Sequence, residues 1–156
     1  MIHILDFESR FAVSLPETHT LLASANLVIH PAVSRVILHG SRGLAGSHCP
    51  DSDIDLSLIV DLPPEENLDS VLHEISEMTL SHWQGPIEVD LAVIFDIRNC
   101  TLRCFDQTTW DRHFCQLGGV DCFGLYKTQR GFNGRVTHAG IQVKLMYPCL
   151  KIWQRK

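Results

Sequence analysis

The stretch from Val36 to Val60 constrains this chain more than any other. An apolar run enters His39-Gly40-Ser41-Arg42-Gly43, a loop of small residues follows, and Ser52-Asp53-Ile54-Asp55-Leu56 opens a second apolar run. Residues two apart on a β-strand share a face, so Asp53 and Asp55 present two carboxylates side by side while Ile54 and Leu56 point the other way. Like charges that close repel unless something neutralises them. Hard oxygen donors at this spacing suit Mg²⁺ or Mn²⁺, and a metal held by few protein ligands completes its shell with phosphate oxygens. The glycine-flanked turn ahead of the acids fits that picture, because Ser41 offers a hydroxyl and an amide at a strand end where a phosphate can be held.

A third acid stands in a later apolar run, Ile87-Glu88-Val89-Asp90-Leu91-Ala92-Val93-Ile94-Phe95. Glu88 and Asp90 are both flanked by hydrophobic residues. Asp90 is preferred, because a short strand after a turn sets its centre beside the neighbouring strand; Glu88 remains the alternative. Gly-Ser, an eleven-residue spacer, Asp-hydrophobic-Asp and then hydrophobic-Asp-hydrophobic together resemble the signature of the DNA polymerase beta type nucleotidyltransferase superfamily, over roughly residues 20 to 96.

That resemblance implies an α+β nucleotidyltransferase fold, a mixed β-sheet with helices packed on one face. It implies two Mg²⁺ ions, or Mn²⁺, held by Asp53, Asp55 and Asp90, with Asp90 also helping to deprotonate the acceptor. Gly40 and Ser41 would hold the triphosphate, with Arg42 adding charge. The implied reaction moves a nucleoside monophosphate from a nucleoside triphosphate, with ATP as the preferred donor, to a hydroxyl of a small molecule or protein. The chain looks like the minimal nucleotidyltransferases, some of which pair with a helical partner protein in toxin–antitoxin modules, or like the antibiotic nucleotidyltransferases that carry an acceptor-binding domain. The alternative is a nucleotide-binding regulatory or antitoxin-like module without turnover. Larger relatives add helical domains that grip nucleic acid, and 156 residues leave little room for one.

Length and composition agree with one globular domain, residues 1 to 156, with a core at about 14–96 and a basic, strand-rich extension at about 97–156. No apolar run approaches the ~20 residues of a membrane span. The first residues lack the basic start and apolar core of a secretion signal, so a cytoplasmic setting is expected. Six cysteines without an export signal read as free thiols. The spacing of Cys100, Cys104, His113 and Cys115 fits no common zinc pattern. Up to residue 122 there are six Lys/Arg against all eighteen Asp/Glu, a balance of −12; after it there are seven Lys/Arg and no acid, a balance of +7. There Lys127, Arg130, Arg135 and Lys144 interleave with Tyr126, Phe132 and Tyr147. Contact with a nucleotide's phosphates and base is one reading, and solubility beside an acidic remainder is the other.

In chain order, Ser14-Leu-Pro-Glu17 has the form of a capping box, which predicts a helix from Ser14 that the His30-Pro31 pair ends. Ser34 to His39 and Asp53 to Val60 read as strands, and the spacing of Leu68, Val71, Leu72, Ile75, Met78, Thr79 and Trp83 predicts an amphipathic helix stopped by Gly85-Pro86. Ile87 to Phe95 is the next strand. Within 102–114 one short strand or helix is expected, 130–135 reads as a turn, and the alternation from Ile141 to Tyr147 predicts a final strand. His39, as a strand residue, reads as packed or hydrogen-bonded rather than as a general base.

Overall fold

Alternating apolar side chains in three runs build the centre of the molecule. The computed structural model of the chain describes residues 2–3, 6–61, 67–97, 100, 102–111, 123–127, 134–137 and 143–156. In order, these form β1 (Ile2–His3), α1 (Ser9–Ser14), α2 (Pro16–Ala23), β2 (Val28–Ile29), β3 (Val33–His39), β4 (Ile54–Val60), α3 (Leu68–His82), β5 (Val89–Asp96), β6 (Phe123–Lys127), β7 (Gly134–Thr137) and β8 (Leu150–Gln154). Two 3-10 turns, Arg103–Asp106 and Val143–Met146, complete the α+β architecture.

Six strands form one mixed sheet in the order β7-β6-β5-β4-β3-β8, and β1 pairs with β2 apart from it. Only β4 and β5 run parallel; β3 is antiparallel to β4 and β8, and β6 is antiparallel to β5 and β7. Parallel neighbours need a crossover connection, and α3 supplies it. The strands of the C-terminal extension therefore extend both edges of the sheet that the core strands begin.

Period-two alternation sorts these strands into two buried faces. On one face Val36, Leu38, Leu56, Leu58, Leu91 and Val93 meet Phe11 of α1, Leu22 of α2 and Leu68, Leu72 and Ile75 of α3. On the other, Ile37, Ile59 and Ile94 meet Leu102, Phe105 and Cys149, with Tyr147 and Trp110 at the margin. All three α-helices thus contribute to one face, and irregular segments cover part of the other. Arg35 pins that cover: its guanidinium donates to the Leu102 carbonyl at 3.2 Å and to Asp106 Oδ1 at 2.9 Å. Asp55 and Asp90 point to the face without helices.

Four expectations are corrected. The first helix does not start at Ser14, which is the last residue of α1; α2 begins at Pro16 behind Leu15, with no side-chain cap. Proline suits the first helical position, where its missing amide would have had no helical partner and its fixed φ is already helical. Nor does this helix reach His30: it stops at Ala23, Asn26 takes φ 55°, and Val28–Ile29 is extended. Within the predicted last strand, Val143–Met146 is a 3-10 turn, and the real final strand lies beyond it at Leu150–Gln154. The expected strand at 87–95 begins instead at Val89, leaving Glu88 exposed before it. Of the predicted 130–135 turn, residues 130–133 lie outside the described residues, while Gly134 and Arg135 belong to β7, which pairs antiparallel with β6. His113 and Cys115 also lie outside them; Cys49, Cys100, Cys104 and Cys149 are free thiols.

Candidate functional site

Three strand ends converge on one pair of carboxylates. In the parallel β4–β5 ladder Asp55 lies directly opposite Asp90, and in the β3–β4 ladder it lies opposite His39. Gly40 follows His39 with φ +71°, a conformation that side chains resist. A Cβ on Gly40 would collide with the Asp55 carboxylate. The turn must therefore carry glycine for its backbone to lie over the acid.

The pair is held under electrostatic stress. Burial, then the charge of Asp90 and a hydrogen bond between the two carboxyl groups, push Asp55 up from 3.8 to about 6; Asp53 adds to the rise and Lys127 opposes it. Lys127 Nζ stands 3.0 Å from Asp90 Oδ1, with the two side chains 30% and 28% exposed. One cation thus faces two carboxylates. Together they line a cleft of about 350 Å³ that Gly40, Ser57 and Ala92 bound on one side and Leu125, Met146, Tyr147 and Pro148 on another.

The remaining residues singled out in the sequence lie around this pair. Asp53 precedes β4, is exposed and does not line the cleft, although its charge is felt at Asp55. Glu88 is exposed, and its carbonyl accepts from the Ile54 amide at 2.9 Å where the parallel ladder begins. Ser41, half-buried, does not line the cleft; it lines a separate depression with Arg42, Gly43 and His48. Arg42 is 3% exposed and donates to the carbonyls of Ser52, Cys49 and Pro50 at 2.7, 3.2 and 3.0 Å, with Glu17 3.7 Å away. Its guanidinium ties the loop from Gly40 to Asp53 together.

His39 is hydrogen-bonded within the wall, as expected of a strand residue. Its Nδ1 donates to the Met146 carbonyl at 2.8 Å, which leaves Nε2 to accept from the Ser57 hydroxyl at 2.9 Å. Burial lowers its pKa from 6.5 to about 4, so the ring is neutral near pH 7. Of the basic segment, Lys127 and Tyr147 reach the cleft and Lys144 is exposed. Tyr126 turns to the helical face, where its hydroxyl lies 2.6 Å from His73 Nδ1. Arg130 and Phe132 lie outside the described residues. Sequence reasoning missed Ser57, although it stands two residues after Asp55 and so shares its face. It also missed the Lys127–Asp90 pair, for which 37 residues of separation leave no local signal.

Asp55 and Asp90 give two hard oxygen donors whose mutual repulsion Lys127 relieves only in part. Mg²⁺, which takes one or two carboxylates and fills its shell with water and phosphate oxygens, fits that set. Among the described residues no group of three or more His, Cys, Asp or Glu side chains is placed to hold a metal ion; Asp55 and Asp90 meet in register, and Asp53 precedes β4 outside the cleft lining. Among the same residues no helix is long and apolar enough to cross a membrane. Comparison with protein-family models, with curated proteins and with solved structures found no match.

Proposed function

We propose that the chain is a nucleotidyltransferase of the DNA polymerase beta type, moving a nucleoside monophosphate from a nucleoside triphosphate to a hydroxyl acceptor with release of pyrophosphate. The observation that carries this reading is the direct register of Asp55 and Asp90 on adjacent parallel strands, beneath a glycine turn with no room for a side chain. Asp55 and Asp90 hold Mg²⁺ or Mn²⁺, and Asp53, ahead of β4, adds only its charge nearby. When bound, the metal supplies a Lewis acid that lowers the pKa of the attacking hydroxyl and neutralises the leaving pyrophosphate. The backbone of the half-buried Gly40–Ser41 turn positions the triphosphate, and Arg42 shapes its loop from within. Asp90 accepts the acceptor's proton. Positioning and fixed charge, rather than covalent chemistry, supply the acceleration.

ATP is the preferred donor, and the acceptor is a small molecule or a protein, with a helical partner protein as the assembly this reading carries. A cytoplasmic setting, where free thiols stay reduced, suits it. The test is incubation with labelled ATP, Mg²⁺ and candidate acceptors. The wild type is expected to release pyrophosphate, and Asp55→Asn to do so about a hundredfold more slowly or worse. Absence of release with all four common nucleoside triphosphates, with either Mg²⁺ or Mn²⁺, overturns the reading. One observation favours the alternative of a nucleotide-binding partner module without turnover: Asp53 stands outside the pair while Lys127 already sits on Asp90. Metal-dependent ATP binding without pyrophosphate release would select that alternative.

A further inference from the structure

Lys127 is the last residue of β6, one step beyond the Val93–Tyr126 pair of the β5–β6 ladder. That register sets it alongside Ala92, on the face that carries Asp90. Ala92 is small, lines the cleft and leaves the path open for the long lysine side chain to reach Asp90 at 3.0 Å. Resting on the nucleotidyltransferase reading, we propose that Lys127 is a displaceable internal cation: it holds Asp90 in the free protein and passes to the triphosphate when nucleotide and metal enter together.

Three observations point the same way. Asp55 and Asp90 are two carboxylates in register, so the pair needs positive charge beside it to stay assembled. Lys127 is the cation the cleft provides among the described residues. Both members of its ion pair keep about 30% exposure, and water-accessible pairs of this kind are weak and exchange readily. An ammonium on a flexible four-carbon stem can turn from a carboxylate to a phosphate within one cleft. While Lys127 occupies Asp90, a divalent cation alone must compete with it. Arriving with a triphosphate, the cation brings the anion that draws Lys127 away. Metal without nucleotide therefore binds weakly, and the two ligands assist each other.

The test follows Mn²⁺ binding by electron paramagnetic resonance, with and without ATP, in the wild type and in Lys127→Gln, Lys127→Arg and Asp55→Asn. Lys127→Gln is expected to bind Mn²⁺ alone about tenfold more tightly than the wild type, because a competing charge is gone, and to bind ATP in the presence of Mn²⁺ about tenfold more weakly. Lys127→Arg, which keeps the charge, should stay near the wild type in both. A lysine that only supported the fold would not shift the two affinities in opposite directions. If the wild type binds Mn²⁺ through Asp55 and Lys127→Gln binds it no more tightly, the lysine assignment is wrong and the nucleotidyltransferase reading stands. If neither protein binds Mn²⁺ even with ATP, both fail.

Discussion

Gly40 combines a positive φ with the absence of any space for a Cβ above Asp55, so Gly40→Ala meets two penalties at once. The left-handed backbone costs an L-residue about 1–2 kcal/mol, and the new methyl group must push the carboxylate out of register with Asp90. Thermal unfolding should show the stability loss, and Mn²⁺ titration should show the site lost as well; a variant that keeps the site would contradict the close approach. Asp55 is predicted to respond to pH. Its folded pKa of about 6 exceeds the ordinary 3.8, so the folded state takes up a proton that the unfolded chain does not. This contribution favours folding fully below pH 3.8 and is lost as pH rises through about 6, leaving the ionised pair as a liability at pH 7. After discounting for partial exposure, Asp55→Asn should stabilise the protein by about 1 kcal/mol at pH 7.5, a few degrees in Tm, with the gain fading between pH 6 and 4. A gain independent of pH in thermal scans would argue against the charge pair as its source. Asp55 and Asp90 were legible because strand alternation is local; Asp53 was not placed by it, because β4 begins only at Ile54 and leaves Asp53 exposed before the strand. The work of Arg42 and Lys127 was not legible, because each depends on which distant backbone or strand comes alongside.

At the scale of elements, β6 depends on Gly124. Gly124 pairs with Phe95 across the β5–β6 ladder, and a Cβ there would collide with the phenylalanine ring. Gly124→Val should therefore lift β6 from β5, cost about 1–3 kcal/mol by denaturant unfolding and weaken the Lys127–Asp90 contact; unchanged stability would show that the strand tolerates the displacement. The same elements show what sequence could reveal. α3 was readable because Leu68, Leu72, Ile75 and Thr79 bury one stripe, with Asp69 in its first turn and His82 in its last. β3, β4 and β5 were readable because each is a sustained apolar run. β8 was not: its five residues are too few to display a period, while residues 143–146 of the alternation before it form a 3-10 turn whose Met146 carbonyl receives His39. The start of α2 was misread because the Ser-x-x-Glu pattern is local, whereas Ser14 is held as the end of a preceding helix.

Over the whole molecule, the helical face supplies most of the apolar burial and the opposite face supplies the cleft. Both depend on the sheet being closed at its β8 edge. There Leu150 and Ile152 enter the helical-side core, and Arg155 donates to the carbonyls of Val33 and His30 and stacks 5.4 Å from the Trp153 ring. Ile152→Ala is expected to cost about 2–4 kcal/mol in denaturant unfolding, as other buried truncations do, and a loss under 1 kcal/mol would mean that β8 is a loosely held edge. The partners at this edge are far apart in sequence: Arg155 bonds to Val33 across 122 residues. Until that long loop closes, β3 presents an unsatisfied row of amides and carbonyls able to recruit another chain. High contact order of this kind slows folding towards the millisecond-to-second range and makes the yield of refolding fall as protein concentration rises.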